Sequence, residues 1–130
     1  HYQMPVSAMS VEDQNEEGWK ENNIETVTVP EQFHRPSLLI VRMDENDMEP
    51  LIARGAYVGI DKDRRTIRSG AIYALDMPVE GLVIKRLLHD AENARFILRS
   101  DNSAYIDQTI AAETAVERVI GRVAWVFQEI

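Results

Sequence analysis

The residues best suited to chemistry stand in one short polar segment that follows an apolar run. The segment Asp44-Glu45-Asn46-Asp47-Met48-Glu49-Pro50 places four carboxylates within six positions. Carboxylates can bind calcium, but Met48 stands where an EF-hand loop needs an oxygen ligand, and the central glycine and terminal glutamate of that loop are missing. Carboxylates that act as an acid–base pair must converge in a pocket, which neighbours on one turn rarely do. The segment is therefore predicted to be a solvated acidic turn that holds no metal, and no cofactor is expected.

The second candidate is Lys85, on the apolar run Gly81–Leu88. Alternation places Lys85 on one face with Val83 and Leu87, and the opposite face is also largely apolar. Such a strand is expected in the middle of a sheet, with Lys85 partly removed from water. Burial favours a neutral lysine amine, which can serve as a general base. The alternative is a lysine whose ammonium group extends along the strand to reach water.

The elements that must position these residues are short β-strands joined by tight turns. Seven β-rich runs are bounded by Gly, Pro, Asn or Asp, and two stretches, 49–53 and 110–116, suggest helical turns. The pattern predicts a mostly β domain with about seven strands and one or two short helical turns. The predicted strands are Ile24–Val29, Leu38–Met43, Ala56–Ile60, Ala71–Leu75, Gly81–Leu88, Ala94–Arg99 and Arg118–Gln128.

The first 23 residues are predicted to form an acidic N-terminal arm or linker ahead of a domain at 24–130. The stretch SVEDQNEEGWKENN (residues 10–23) has too few aliphatic side chains to offset the entropy of ordering it. Trp19 is the exception: it is either an anchor that holds the arm in a groove or an incidental aromatic residue in a linker.

Composition and charge exclude several classes of protein. The 130 residues suffice for one domain, and the absence of cysteine rules out disulfides, thiolate metal sites and a cysteine nucleophile. No apolar run approaches the roughly 20 residues of a membrane helix, so a cytoplasmic protein without a membrane segment is expected. The net charge of −8 lies entirely in the first 50 residues, which makes this chain a poor partner for nucleic acid.

Several segments together resemble the C-terminal domains of LexA and phage repressors. These domains are the S24 self-cleaving peptidases, which are related to signal peptidases. The resemblance runs from about residue 38 to residue 130 and implies strongly bent β-sheets. It rests on five segments in the family's order: Val41–Leu51, Gly55–Val58, Ala71–Leu75, Gly81–Leu87 and Leu98–Tyr105.

The resemblance also assigns roles to the two candidate sites. Lys85 matches the family's general base, Asp47 stands at the position of the serine nucleophile, and Glu45 stands at the position of a turn glycine. Asn46 and Met48 complete the turn near the oxyanion region. A carboxylate beside Lys85 favours the ammonium form, so a structural Asp47–Lys85 ion pair is expected. Residues 1–46 also lack the Ala-Gly or Cys-Gly bond that the family cuts, so the domain is predicted to be catalytically silent.

The resemblance implies a self-association and regulatory domain of a phage-type transcriptional repressor. DNA would be bound through an N-terminal part that this chain does not contain, and an antirepressor or a RecA-type protein is a further class of partner. A homodimer is expected through the C-terminal strand, either by its edge or by one face, with Val123, Trp125 and Phe127 as candidates. The alternative is a strand that lies wholly inside one protomer.

Two other functions stay open on the sequence alone. One is an active self-cleaving peptidase that uses Lys85 with another serine, among Ser37, Ser69, Ser100 and Ser103. The other is a module whose vestigial cleft binds a peptide, either the chain's own arm or an antirepressor.

Two polar motifs are given simpler interpretations. Ser100-Asp101-Asn102 is interpreted as a turn after a strand. The only basic cluster, at residues 61–68, is interpreted as a solvated loop in preference to a phosphate-binding patch.

Overall fold

The computed structural model describes residues 1–11 and 18–130, and it contains one nine-stranded mixed sheet. The strand order across the sheet is β2-β1-β3-β4-β9-β5-β6-β7-β8. One α-helix, α1, and two single 3₁₀ turns complete the described elements. The bounds are β1 Tyr2–Ser7, β2 Asn23–Val29, β3 Leu38–Arg42, β4 Tyr57–Asp61, β5 Ile72–Met77, β6 Gly81–Asp90, β7 Arg95–Arg99, β8 Gln108–Ala111, α1 Ala112–Arg118 and β9 Val119–Phe127.

The mostly β class is confirmed, and each of the seven predicted runs coincides with a strand to within two residues at each end. The segment at 49–53 forms turns, held by the Ile52 amide donating to the Met48 carbonyl at 2.9 Å. No helix in the described ranges is long and apolar enough to cross a membrane.

Two strands escaped prediction, and one of them corrects the expected arm. Residues 2–7 were assigned to an arm, but they form β1, which pairs antiparallel with β2 along its length and parallel with β3 at Val6 and Ser7. Val6 is fully buried, so this segment belongs to the sheet. Trp19 packs against the core and donates its indole N–H to the Ala8 carbonyl at 3.0 Å, as expected of an anchor. The division of the chain at residue 23 stays a prediction.

The C-terminal strand β9 lies in the middle of the sheet, with β4 on one side and β5 on the other. Residues 122–127 of β9 pair with β4, whereas only residues 119–122 pair with β5, so the expected pairing of this strand edge with a second copy stays a prediction. A register shift beside Gly59 also breaks the alternation of β9. As a result Val123 packs with one core cluster, while Trp125 and Phe127 pack with another.

The core consists of three apolar clusters distributed over the bent sheet. Strand β6 contributes to two of them, because Leu82 and Ile84 join the first cluster whereas Val83 and Leu87 join the second. This alternation agrees with the predicted central strand. It leaves Lys85 on the same side as Val83 and Leu87, at the boundary of the apolar interior.

Candidate functional site

Asp47 lies on the turn that follows β3, and the turn is fixed by buried side chains on either side of it. Met43, Met48 and Ile52 are each at most 1% exposed, so they anchor the turn in the first core cluster. The Glu49 amide donates to the Asn46 carbonyl at 3.2 Å and closes the turn around Asp47. Between these anchors Asp44, Glu45 and Asn46 are exposed, whereas Asp47, next to Met48, is only 7% exposed.

Lys85 reaches this turn from β6 and meets the Asp47 carboxylate. Its Nζ lies 2.6 Å from Asp47 Oδ2, with the two side chains 13% and 10% exposed. Lys85 can project here because β6 is a central strand, paired with β5 and β7. The structure thus brings together the two residues that the resemblance assigns to the base and nucleophile positions.

Ser100 is the third member of the cluster; the sequence analysis named it only as one of four serines that could act with Lys85. Lys85 Nζ donates to Ser100 Oγ at 2.7 Å, and Ser100 is 7% exposed. Ser100 directly follows β7, the neighbour of β6. In the sequence, the sign of its position is a small polar residue at the end of an apolar strand. A polar residue placed there can meet a lysine on the adjacent strand.

The turn at 100–102 also clamps the Asp47 turn. The Asn102 amide donates to the Asp47 carbonyl at 2.9 Å, and the Asn102 side-chain amide donates to the Asn46 carbonyl at 3.0 Å. The Asp101 amide donates to Met48 Sδ at 3.4 Å. Interpreting this triplet as a turn was correct, but the turn holds the site together as well.

The remaining residues of the predicted turn and oxyanion region have separate environments. Asn46 is exposed and accepts a hydrogen bond from the Tyr105 hydroxyl, Met48 is fully buried, and Glu45 is exposed without a hydrogen bond or ion pair among the described residues. Glu45 therefore contributes charge but no fixed contact. The three residues lie around Asp47 and do not form a catalytic group with one another.

The two carboxylate oxygens of Asp47 differ in their hydrogen bonding. Asp47 Oδ2 accepts from Lys85, whereas Asp47 Oδ1 is buried and has no hydrogen-bond partner among the described residues. A buried carboxylate oxygen without a partner lowers stability, so the attraction of Lys85 is the interaction that holds the charge in place. Chemically, the cluster is an ammonium group shared between a carboxylate and a hydroxyl.

An open cleft of about 310 Å³ lies beside the cluster. Its walls combine apolar strand residues with carboxylates, among them Asp44, Glu45 and Glu80. Partial burial, followed by the negative charge of Glu45, raises the pKa of Asp44 above its ordinary value. The N-terminal segment also lines this cleft through Met9 and Ser10.

The sequence matches a known protein family over most of its length. The sequence profile of the family described as "Peptidase S24-like" matches residues 7–124. This chain belongs to the peptidase S24-like family. The assignment of Asp47 to the family's nucleophile position and of Lys85 to its base position stays a prediction, and the structure shows that the two side chains are in contact.

A named transcriptional regulator is similar in sequence to part of this S24-like chain. The chain is 33% identical over 94 residues to the HTH-type transcriptional regulator PrtR of Pseudomonas aeruginosa. The match covers 71% of this chain but only 36% of that protein. The S24-like chain therefore corresponds to about a third of the regulator it resembles.

Metal binding finds no support in the geometry. Across residues 1–11 and 18–130, no three His, Asp or Glu side chains converge in a way that could hold a metal ion. The carboxylates of residues 44–49 point to several environments, and the one that is buried is bound by Lys85.

Proposed function

We propose that this S24-like chain is the regulatory and self-association domain of a LexA/CI-like transcriptional repressor, and that it does not cleave itself. The single observation that carries the second part is the 2.6 Å contact between Lys85 Nζ and Asp47 Oδ2. Similarity to a named transcriptional regulator supports the first part. A cytoplasmic location belongs to the same proposal.

The chemistry of the site explains the lack of cleavage. A lysine that activates a serine must offer a lone pair to the hydroxyl proton, and a buried carboxylate beside the amine favours the ammonium form, which has none. Lys85 Nζ also contacts Ser100 Oγ at 2.7 Å, so the same amine is shared between this hydroxyl and Asp47. Asp47 itself is a poor nucleophile toward an amide because its charge is delocalised and paired.

Intact-mass measurement after incubation at neutral and alkaline pH tests this proposal. High pH drives self-cleavage in S24 peptidases by deprotonating the lysine, so an active chain would yield two fragments. The expected result is a single unchanged mass under both conditions. A fragment pair whose masses sum to the intact mass plus one water, and that disappears in Lys85→Ala, would show that the chain is a peptidase.

Restoring the nucleophile alone should not restore cleavage. In Asp47→Ser the hydroxyl returns, but Glu45 still replaces the turn glycine and residues 1–46 still lack an Ala-Gly or Cys-Gly bond. The same incubation is expected to leave Asp47→Ser intact. Cleavage of this variant would mean that the two other changes matter less than the missing serine.

Ser100 is the one described serine whose geometry favours the rival function of an active peptidase. Its Oγ lies 2.7 Å from Lys85 Nζ, whereas Ser37 donates to Asp61 and Ser69 accepts from the His89 amide. If Ser100 were a nucleophile, Ser100→Ala would abolish fragment formation and Ser103→Ala, at an exposed position, would not. We expect neither variant to change the mass spectrum, because Ser100 is nearly buried and its lysine is paired with Asp47.

Self-association through β9 is expected to use either its face or the edge of residues 123–127 that does not pair with β5. Phe127 and Val123 are partly exposed, although they pack with different core clusters, so each leaves some apolar surface for a contact. Dimerisation of such a domain would bring two DNA-binding parts together and raise their affinity for paired half-sites. Sedimentation velocity measures this directly, and a monomer at high micromolar concentration would contradict the proposal. Phe127→Ser should weaken the dimer more than Val79→Ser, an exposed apolar position on the β5–β6 turn.

The cleft also supports a second candidate, in which the chain's own N-terminal segment occupies it. The Leu82 amide at the start of β6 donates to the Met9 carbonyl at 2.9 Å, and Met9 is 4% exposed. Limited proteolysis tests whether this contact protects the adjoining sequence. Slow cleavage within residues 10–25 would support a peptide-binding cleft, whereas rapid trimming without loss of the domain would count against it.

A further inference from the structure

A separate concentration of positive charge lies on the loop between β4 and β5. Four arginines and one aspartate line a depression of about 230 Å³ there, together with Thr66. Three of the arginines belong to the loop and the fourth projects from β9; the four are Arg64, Arg65, Arg68 and Arg122. This surface, the arginine depression, therefore carries three more positive than negative charges on a chain whose net charge is −8.

The four arginines differ from others on the same sheet. Within residues 1–11 and 18–130, no hydrogen bond or ion pair reaches their guanidinium groups. Five arginines elsewhere pair with a carboxylate: Arg35, Arg42, Arg86, Arg95 and Arg99. Asp63, the only acid in the depression, makes no ion pair among the described residues. The donors of this depression are thus available to a ligand.

The loop that presents them is held in place by buried groups. The Tyr73 side chain is fully buried, and its hydroxyl donates to the Thr66 carbonyl at 3.1 Å and accepts from the Arg68 amide at 2.8 Å. The Arg122 amide of β9 donates to the Arg64 carbonyl at 3.0 Å. The loop is thus already ordered before a ligand binds, which reduces the conformational entropy lost on binding.

We propose that the arginine depression binds a carboxylate-rich segment of a polypeptide. Guanidinium groups pair with planar oxyanions through two parallel hydrogen bonds, and four of them can engage several carboxylates of one short segment. Duplex DNA fits less well, because a long polyanion also meets the repulsion of the chain's excess negative charge. This site lies apart from the Asp47–Lys85 cluster, and its function does not depend on whether the domain cleaves itself.

The chain's own sequence supplies a suitable probe. A labelled peptide of residues 10–23 carries five acids and one lysine, and a control peptide replaces the acids with their amides. Fluorescence anisotropy measures binding to the natural chain and to a chain in which the four acids of residues 12–17 are amides, so that the chain's own segment cannot compete. We expect the acidic peptide to bind, the neutral peptide not to bind, and affinity to fall between about 50 and 200 mM salt.

Arginine variants locate the site. Arg64→Gln/Arg65→Gln should weaken the acidic peptide about tenfold, as expected for the loss of two exposed charge pairs. The matched control Arg95→Gln/Arg99→Gln removes the same charge from β7, three strands from β9, and should change affinity less than twofold. Equal weakening by both variants, or no binding at about 1 mM peptide in either chain, would overturn the proposal. So would an arginine-dependent affinity for a DNA duplex that exceeds that for the peptide.

Discussion

The Asp47–Lys85 cluster and the arginine depression are both charged, but they differ in the burial and pairing of their charged groups. In the cluster, one ammonium and one carboxylate are nearly buried and bound to each other. In the depression, four guanidinium groups face water and none has a partner among the described residues. In the cluster the two charges pair with each other, whereas the charges of the arginine depression remain available to a ligand.

The difference predicts that the two regions contribute to folding to different degrees. A buried charged pair is strongly coupled to folding, because either partner alone would be stranded in an apolar environment. Exposed arginines contribute little to folding, so they can be selected for binding. Stability measurements should therefore separate the two regions sharply.

The largest effect is expected when one partner of the buried pair is removed. Asp47→Leu or Lys85→Met alone should lower the free energy of unfolding by about 3–5 kcal/mol, since each leaves an unpaired buried charge. The double variant should recover most of this loss, because two apolar side chains replace the pair. Urea denaturation measures all three.

An exposed pair on the same sheet serves as the control. Arg99 and Asp107 have side chains 47% and 41% exposed, and Arg99→Met should cost less than about 1 kcal/mol. Single changes at Asp47 and Lys85 that are as mild as this one would mean that water reaches the cluster.

Tyr73→Phe should have an intermediate effect and should link folding to the arginine depression. Loss of the hydroxyl leaves the Thr66 carbonyl and the Arg68 amide without their partner, at an expected cost of about 1–3 kcal/mol. Hydrogen exchange should also become faster at residues 66–68. Tyr57→Phe, whose hydroxyl donates to Glu25 near the surface, is the matched control and should change stability less. Unchanged exchange at 66–68 would show that Tyr73 does not order the loop.

A smaller effect is expected at Asp44, where the sign depends on pH. Its raised pKa means that the folded state holds the proton more tightly than the unfolded state, so ionisation of Asp44 opposes folding. Asp44→Asn should therefore be more stable than the natural chain at pH 7. This advantage should shrink as pH falls toward about 4 and Asp44 becomes protonated. Parallel denaturation series give the difference directly, and an advantage that grows on acidification would refute the assignment.

The smallest effect on stability is expected from Arg64→Gln/Arg65→Gln. These side chains make no described ion pair, so the free energy of unfolding should change by no more than about 0.5 kcal/mol. A loss above 1 kcal/mol would show that the arginines belong to the fold, and any loss of peptide binding would then need another explanation.

The sequence was sufficient for the central strands but not for β1 and β8. Strand β6 is apolar on both faces, so its own residues reveal its place in the sheet. Strand β1 contains Pro5 and precedes an acidic stretch, and β8 has only four residues, so their structure depends on partners far along the chain. The predicted alternation of β9 failed for a related reason, because the register shift beside Gly59 is set by β4.

The same distinction holds for the site. The resemblance placed Asp47 and Lys85 together because the family positions can be read from short motifs. Ser100 could not be found in this way, since its contact with Lys85 depends on the register between β6 and β7. The sequence also could not show that Arg122 lies beside the basic loop, because this proximity depends on the pairing of β9 with its neighbours.

The place of β9 in the sheet has a consequence for the order of assembly. The strands β1–β4 lie on one side of it and β5–β8 on the other, so the last described strand to be synthesised is the one that joins the two halves of the sheet. Asp47 belongs to the first half and Lys85 to the second. Without β9, each half carries one charge of the pair, and the strand that pairs with both β4 and β5 is missing. A nascent chain that stops before residue 119 would thus display an open sheet edge on each half.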